Sequence, residues 1–129
     1  MGELGHRDLS GRVIEAAIEV HKALGPGFLE SVYENALCLE LARRGIGFEQ
    51  QKTVPIHYLN QPVGEHRLDI LVENVLLVEL KAVKAIEDVF FAIARAQMKA
   101  VGIRDGLILN FASIPITIKR VGPGRVSTS

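Results

Sequence analysis

Tryptophan is absent from this chain, cysteine occurs once, aromatic residues make up 5%, and positive and negative charges cancel. Each shortage excludes something. The single Cys38 cannot close an internal disulfide, and in its helical surroundings it reads as a small core residue. So few aromatics give no platform for stacking nucleic-acid bases. With 15 Lys and Arg against 15 Asp and Glu, there is no net field to attract a polyanion, so contact with nucleic acid needs a local basic surface. No apolar run reaches the roughly 18 residues of a membrane span. The polar start Met1-Gly2-Glu3-Leu4-Gly5-His6-Arg7 is not a signal peptide, so the expected compartment is the cytoplasm, with no membrane partner. Glycine-rich phosphate loops, zinc-ligand spacings and nucleophile elbows are also missing.

What remains is 129 residues of which 48% are hydrophobic, sufficient for one domain around one core. Leu9, Val13, Ala17, Val20 and Leu24 recur at helical spacing, with Asp8 or Ser10 as the cap, and Gly25-Pro26-Gly27 ends that helix. A second helix is predicted from about Leu29 to Arg44, with Leu29, Tyr33, Ala36, Leu37 and Leu41 as its apolar face. From Phe48 the period changes to two. A strand over Thr53–Leu59, a turn at Asn60-Gln61-Pro62 and a second strand from Val63 follow, and Pro55 places the first of these strands at an edge or a bulge. A third helix spans about Ile86 to Val101, and short strands are expected over Gly106–Phe111 and Ile114–Val121, before a loose tail from Gly122. The order is helix, helix, three strands, helix, two strands. It predicts one α/β domain over residues 1–129 with a mixed central sheet flanked by helices, the core lying at about 9–121.

Within this frame, Arg67 to Lys81 stands apart. Two apolar strands joined by a turn carry Asp69, Glu79 and Lys81 among Leu, Ile and Val. Burying an ionised side chain costs several kcal/mol unless it is paired or bound to metal. Alternation puts Glu79 and Lys81 on one face, and a three-residue turn at Glu73-Asn74-Val75 sets Asp69 opposite Glu79 on that face. Two carboxylates and an ammonium meeting at one point of a sheet have the geometry of a metal-dependent phosphodiesterase site. A structural ion-pair group at a sheet edge would use the same residues.

The segment Gly27-Phe28-Leu29-Glu30-Ser31-Val32-Tyr33 has the spacing Gly-x-x-Glu-x-x-Tyr. It follows His21-Lys22-Ala23-Leu24-Gly25-Pro26 and precedes Arg67-Leu68-Asp69 and Val78-Glu79-Leu80-Lys81-Ala82-Val83. In this order the motifs resemble the GxxExxY protein family, grouped with the PD-(D/E)xK nuclease superfamily. The resemblance runs from about Leu9 to Val121. It implies a restriction-endonuclease-like core and a nuclease acting on DNA, with RNA second. Asp69, Glu79 and Glu30 would hold Mg²⁺ or Mn²⁺, and Lys81 would stand beside the attacking water. Hard oxygen ligands suit such ions. Where the family is expected to carry a Gln and, one helical turn later, a Tyr, this chain has Ile93 and Gln97. Gln97 could reach the same neighbourhood from one turn away. A second reading therefore stands beside the first: a nuclease fold kept as a non-catalytic binding or homodimerising module, with Phe90 and Phe91 as its contact surface, although core packing is the safer reading of these two rings.

Several residues have structural readings too. Glu30 favours the start of a helix by its charge, and His21 favours the end of one, although it could also face the site. Tyr33 fits a packing residue with a hydrogen-bonded hydroxyl. His57 and His66 read as solvated strand residues. Lys84, Arg95, Lys99 and Arg104 form either a phosphate-binding strip or a solvated face.

Overall fold

The hydrophobic pattern changes from helical to alternating at Phe48, and the fold changes with it. In the computed structural model, which describes residues 2–123 with side chains from Asp8 onward, the elements are α1 (Gly2–Leu24), α2 (Glu30–Arg43), β1 (Phe48–Tyr58), β2 (Gln61–Val72), β3 (Leu76–Lys81), α3 (Asp88–Val101), β4 (Asp105–Asn110) and β5 (Thr117–Val121). The expectations for His6 and for the tail from Gly124 lie outside the described side chains and residues.

Type and order of every element agree with the sequence reading, while several boundaries differ. The first helix starts at Gly2, so neither Asp8 nor Ser10 caps it. No proline or β-branched residue precedes Asp8 to stop the helix from extending backward. The Ser10 hydroxyl accepts a hydrogen bond from Arg120 at 2.7 Å, a tertiary contact in place of a cap. Strand β1 reaches back to Phe48, where the alternation begins. The turn between β1 and β2 is Leu59-Asn60, both at positive φ, and Pro62 is already in β2 opposite His57. β5 starts only at Thr117, since Pro115 has no N–H to give a ladder. Leu29, expected on the apolar face of α2, is 76% exposed because it precedes the helix, whereas Tyr33, Leu37, Cys38 and Leu41 are buried.

The five strands form one sheet in the order β1-β2-β3-β4-β5. β3 and β4 are parallel, joined by the α3 crossover, and the other neighbours are antiparallel. β1 is an edge strand with a register shift at Ile56/His57, beside the proline that marked it. Helices α1 and α2 cover one face, with Val13, Tyr33, Leu37, Ile70, Val78, Leu109 and Phe111 in the main core. Helix α3 covers the other through Ala94 and Met98 against Leu68, Leu71, Leu77 and Ile108. Each fully buried Leu or Ile contributes about 1.5–3 kcal/mol, so these two clusters dominate stability. Phe90 and Phe91 pack, half-buried, against the α3-side cluster.

The pleat slips at one place. Leu68 faces α3, whereas Ile70, two residues on, faces α1 and α2. Regular alternation would put both on one face. The slip is at Asp69, and the matching irregularity in β1 is Gln51, with φ +56° between the pairs Gln50↔Ile70 and Lys52↔Leu68. Holding a non-glycine residue there costs on the order of 1–3 kcal/mol.

Candidate active site

The β2–β3 hairpin closes through Glu73 and Asn74, both at positive φ, with the Val75 N–H donating to the Val72 carbonyl at 3.0 Å. Its ladder runs Val72↔Leu76, Leu71↔Leu77 and Ile70↔Val78. The next position brings Asp69 to Glu79, and there side chains replace the ladder. The Asp69 N–H donates to Glu79 Oε2 at 3.0 Å, and the Leu80 N–H donates to Asp69 Oδ2 at 2.9 Å. Each carboxylate therefore binds the backbone of the opposite strand through one oxygen, and its second oxygen takes no hydrogen bond from the described residues.

Both acids are driven toward the protonated form. Burial pushes Glu79 up to about 8, helped by the neighbouring Asp69 charge, while the Asp69 amide and the Lys81 charge pull the other way. Burial likewise pushes Asp69 up to about 6, against the hydrogen bond from Leu80 and the charge of Lys81. Lys81 lies at the end of β3 with its ammonium 4.5 Å from the Phe90 ring centroid, a cation–π contact from α3.

Helix α2 supplies the second half. Glu30, in its first turn, accepts a hydrogen bond from the Ala82 N–H at 3.0 Å through Oε2, and so ties the helix start to the exit of β3. From the other side Asn110 pins the same exit. Its amide nitrogen donates to the Val83 carbonyl at 2.9 Å, and its carbonyl accepts from the Val83 N–H at 3.1 Å. Tyr33 is fully buried, stacked on Phe111 at 4.6 Å, and its hydroxyl donates to the Gly25 carbonyl at 2.5 Å. It also accepts from the Phe28 N–H at 3.2 Å, so it fastens the loop that leads into Glu30.

The remaining candidates are not bonded to the carboxylates. The His21 ring lies tilted, 6.0 Å from that of Phe111, with Nε2 buried and unpartnered among the described residues. Gln97 is buried at 5% exposure with Oε1 unpartnered among the described residues, while Ile93, one turn earlier on α3, is 41% exposed. Polarity is thus inverted along that helix. Arg95, Lys99, Lys84 and Arg104 are exposed, and Arg95 sits over Phe91. A cavity of about 1070 Å³ lined by Leu76, Arg104, Gly106 and Arg120 lies where β3 and β4 begin, at the opposite end from Glu79 and Lys81.

The profile of the PD-(D/E)XK nuclease superfamily matches residues 7–121. The chain belongs to this superfamily. The crystal structure of SSO0001 is similar in fold, with a TM-score of 0.59 at 10% identity over 74% of this chain. The match takes in 50% of that protein's length. No curated protein matches the chain.

In this PD-(D/E)XK domain, some residues around the acidic pair escaped the sequence reading. Glu34 is buried on α2 and accepts hydrogen bonds from both Gln50 and Gln51 of β1. Its charge raises both Asp69 and Glu79. Its place one helical turn after Glu30, on the same face, was the available signal. Asn110 gave none beyond a polar end to an apolar strand. Among the described residues, no three His, Cys, Asp or Glu side chains converge as positioned to hold an ion. No helix among them is long and apolar enough to cross a membrane.

Proposed function

We propose that this PD-(D/E)XK domain is a divalent-cation-dependent nuclease that hydrolyses phosphodiester bonds in DNA ahead of RNA. The observation that carries this reading is the Asp69–Glu79 pair. Two carboxylates are brought together in a desolvated strand pair, where burial opposes the ionisation of both and the Asp69 charge further opposes that of Glu79. A bound cation removes that conflict, because it favours the deprotonated form of both acids. The donor set fits Mg²⁺ or Mn²⁺: hard oxygens from Asp69 and Glu79, with Glu30 beside the exit of β3 as a third. When bound, the ion would polarise the phosphate and lower the pKa of the attacking water.

The chain's own groups complete the chemistry. Asp69 and Glu79 would hold the cation. Lys81, kept extended over Phe90, supplies a positive charge that balances the phosphate and orients the water. Exposed Arg95 and Lys99 give the local basic strip that a neutral protein needs to meet a polyanion. The test is incubation with plasmid and single-stranded DNA plus Mg²⁺ or Mn²⁺. Glu79→Ala and Lys81→Ala are each expected to lower cleavage by about 100-fold or more, and cutting that survives both unchanged sinks the assignment.

A second reading has its own support. Each carboxylate already bonds a backbone amide, and Ile93 stands where the family pattern places a polar side chain. A nuclease fold retained as a binding or self-associating module would use the pair only to tie β2 to β3. Calorimetric titration with Mg²⁺ separates the two. Binding that disappears in Asp69→Ala supports the nuclease, and no binding by the unaltered protein supports the module.

A further inference from the structure

Gln50 and Gln51 are consecutive in β1, so in a regular strand their side chains would leave on opposite faces. Here both amides reach one carboxylate. Gln50 Nε2 donates to Glu34 Oε2 at 2.8 Å, and Gln51 Nε2 donates to both Glu34 oxygens at 2.9 Å. The backbone permits this because Gln51 takes φ +56°, a left-handed conformation that long side chains rarely adopt. That irregularity falls where β1 passes Asp69, the point at which the pleat of β2 also slips. Gln50 reaches further to Asn35 Oδ1 at 2.8 Å, so α2 grips this part of β1 through two side chains. Glu34 itself is only 8% exposed. A buried carboxylate that takes three hydrogen bonds from two adjacent glutamines is held firmly, and it holds them in return.

We propose that Glu34 is a positioning residue: by gripping Gln50 and Gln51 it keeps the left-handed turn of β1 at Gln51 in the form that sets Asp69 against Glu79 and Leu80. The consequence for cation binding rests on the nuclease reading above, whereas the consequence for the hairpin does not. Glu34 is separate from the Asp69–Glu79 pair in role. It acts on the strand beneath Asp69, as outer residues do when they orient a ligand.

Two variants test this from different sides. Glu34→Ala removes the grip, and Gln51→Gly removes one hand of it while making the positive φ easy to adopt, so the second variant keeps the fold even if the first does not. Amide exchange followed by NMR on the metal-free protein reads the hairpin directly. Exchange at Asp69 and Leu80 is expected to quicken by about tenfold or more in both variants, with Leu107–Leu109 in β4 unchanged. Exchange at Asp69 and Leu80 matching the unaltered protein in Gln51→Gly overturns the proposal. In the same samples, calorimetric Mn²⁺ affinity should fall by about tenfold or more, and Glu34→Gln, which keeps an acceptor, should lie between. Unchanged Mn²⁺ affinity in Gln51→Gly also counts against it. If the unaltered protein binds no Mn²⁺, the cation reading of the pair falls, and the exchange result still decides the role of Glu34.

Discussion

Strands β3 and β4 lie side by side, parallel and in register from Leu76↔Asp105 to Lys81↔Asn110. Both are buried for five of their six residues, and both end in a polar residue. They differ in polarity at one interior pair: Glu79 in β3 stands beside Ile108 in β4. Ile108 shows what this sheet requires for stability at such a position, an aliphatic side chain packed under α3. Glu79 is nearly as buried, at 7% against 0%, yet it carries an acid. An acid kept there works against the fold, and that cost is what the proposed site at Glu79 rests on.

The comparison can be broken most severely at β4. Ile108→Glu places an acid where no backbone amide waits for it, and should cost about 4 kcal/mol or more in urea unfolding, enough to unfold much of the protein. A tolerated Ile108→Glu would mean that burial in this sheet does not penalise charge, and Glu79 would lose its significance.

Next in size is the pH dependence. Asp69 and Glu79 bind protons more tightly folded than unfolded, so their contribution to stability is complete below pH of about 4, the unfolded carboxylate range. It is lost as pH rises through about 6 for Asp69 and about 8 for Glu79. Thermal unfolding of the metal-free protein should therefore show a falling midpoint from about pH 4 to about 8.5, worth several kcal/mol. Glu79→Gln keeps an acceptor for the Asp69 amide and should flatten most of that slope. A slope as steep in Glu79→Gln would assign it elsewhere.

Tyr33→Phe sharpens the comparison from the helical side. The loss of the hydroxyl bonds to Gly25 and Phe28 should cost about 1–2 kcal/mol by denaturant unfolding. It should also loosen the loop before Glu30, while Phe111 still stacks against the ring. Smallest is Gln97→Met on α3, which removes a buried carbonyl with no partner among the described residues and is expected to stabilise by about 1 kcal/mol. A loss instead would show that Gln97 is satisfied in solution.

Much of the site was legible because the hairpin is local. Period-two alternation and a three-residue turn are enough to set Asp69 against Glu79, and the register Val72↔Leu76 places them so. Pro55 announced an edge strand for the same reason, as a missing N–H is visible in any sequence. What could not be read depends on other elements. Nothing near Gln51 signals a left-handed residue, because the partner that holds it is on a helix 17 residues earlier. Ser10 reads as a cap until Arg120 is known to reach it, and Asn110 reads as a strand end until Val83 folds back onto it. The inversion of Ile93 and Gln97 is legible as a departure, but which of them would be buried depended on how α3 sits on the sheet.

The hairpin's locality also bears on the order of assembly. Asp69 and Glu79 are ten residues apart, whereas Glu30 reaches Ala82 across 52. A ten-residue loop closes on a timescale of about 10–100 ns, and longer closures lose more chain entropy. The two acids thus meet while water still surrounds them, and their mutual repulsion is screened at that stage. Repulsion grows only when helices settle over the strands and dry the pair. Helix docking is the folding step that a divalent ion at this pair would accelerate.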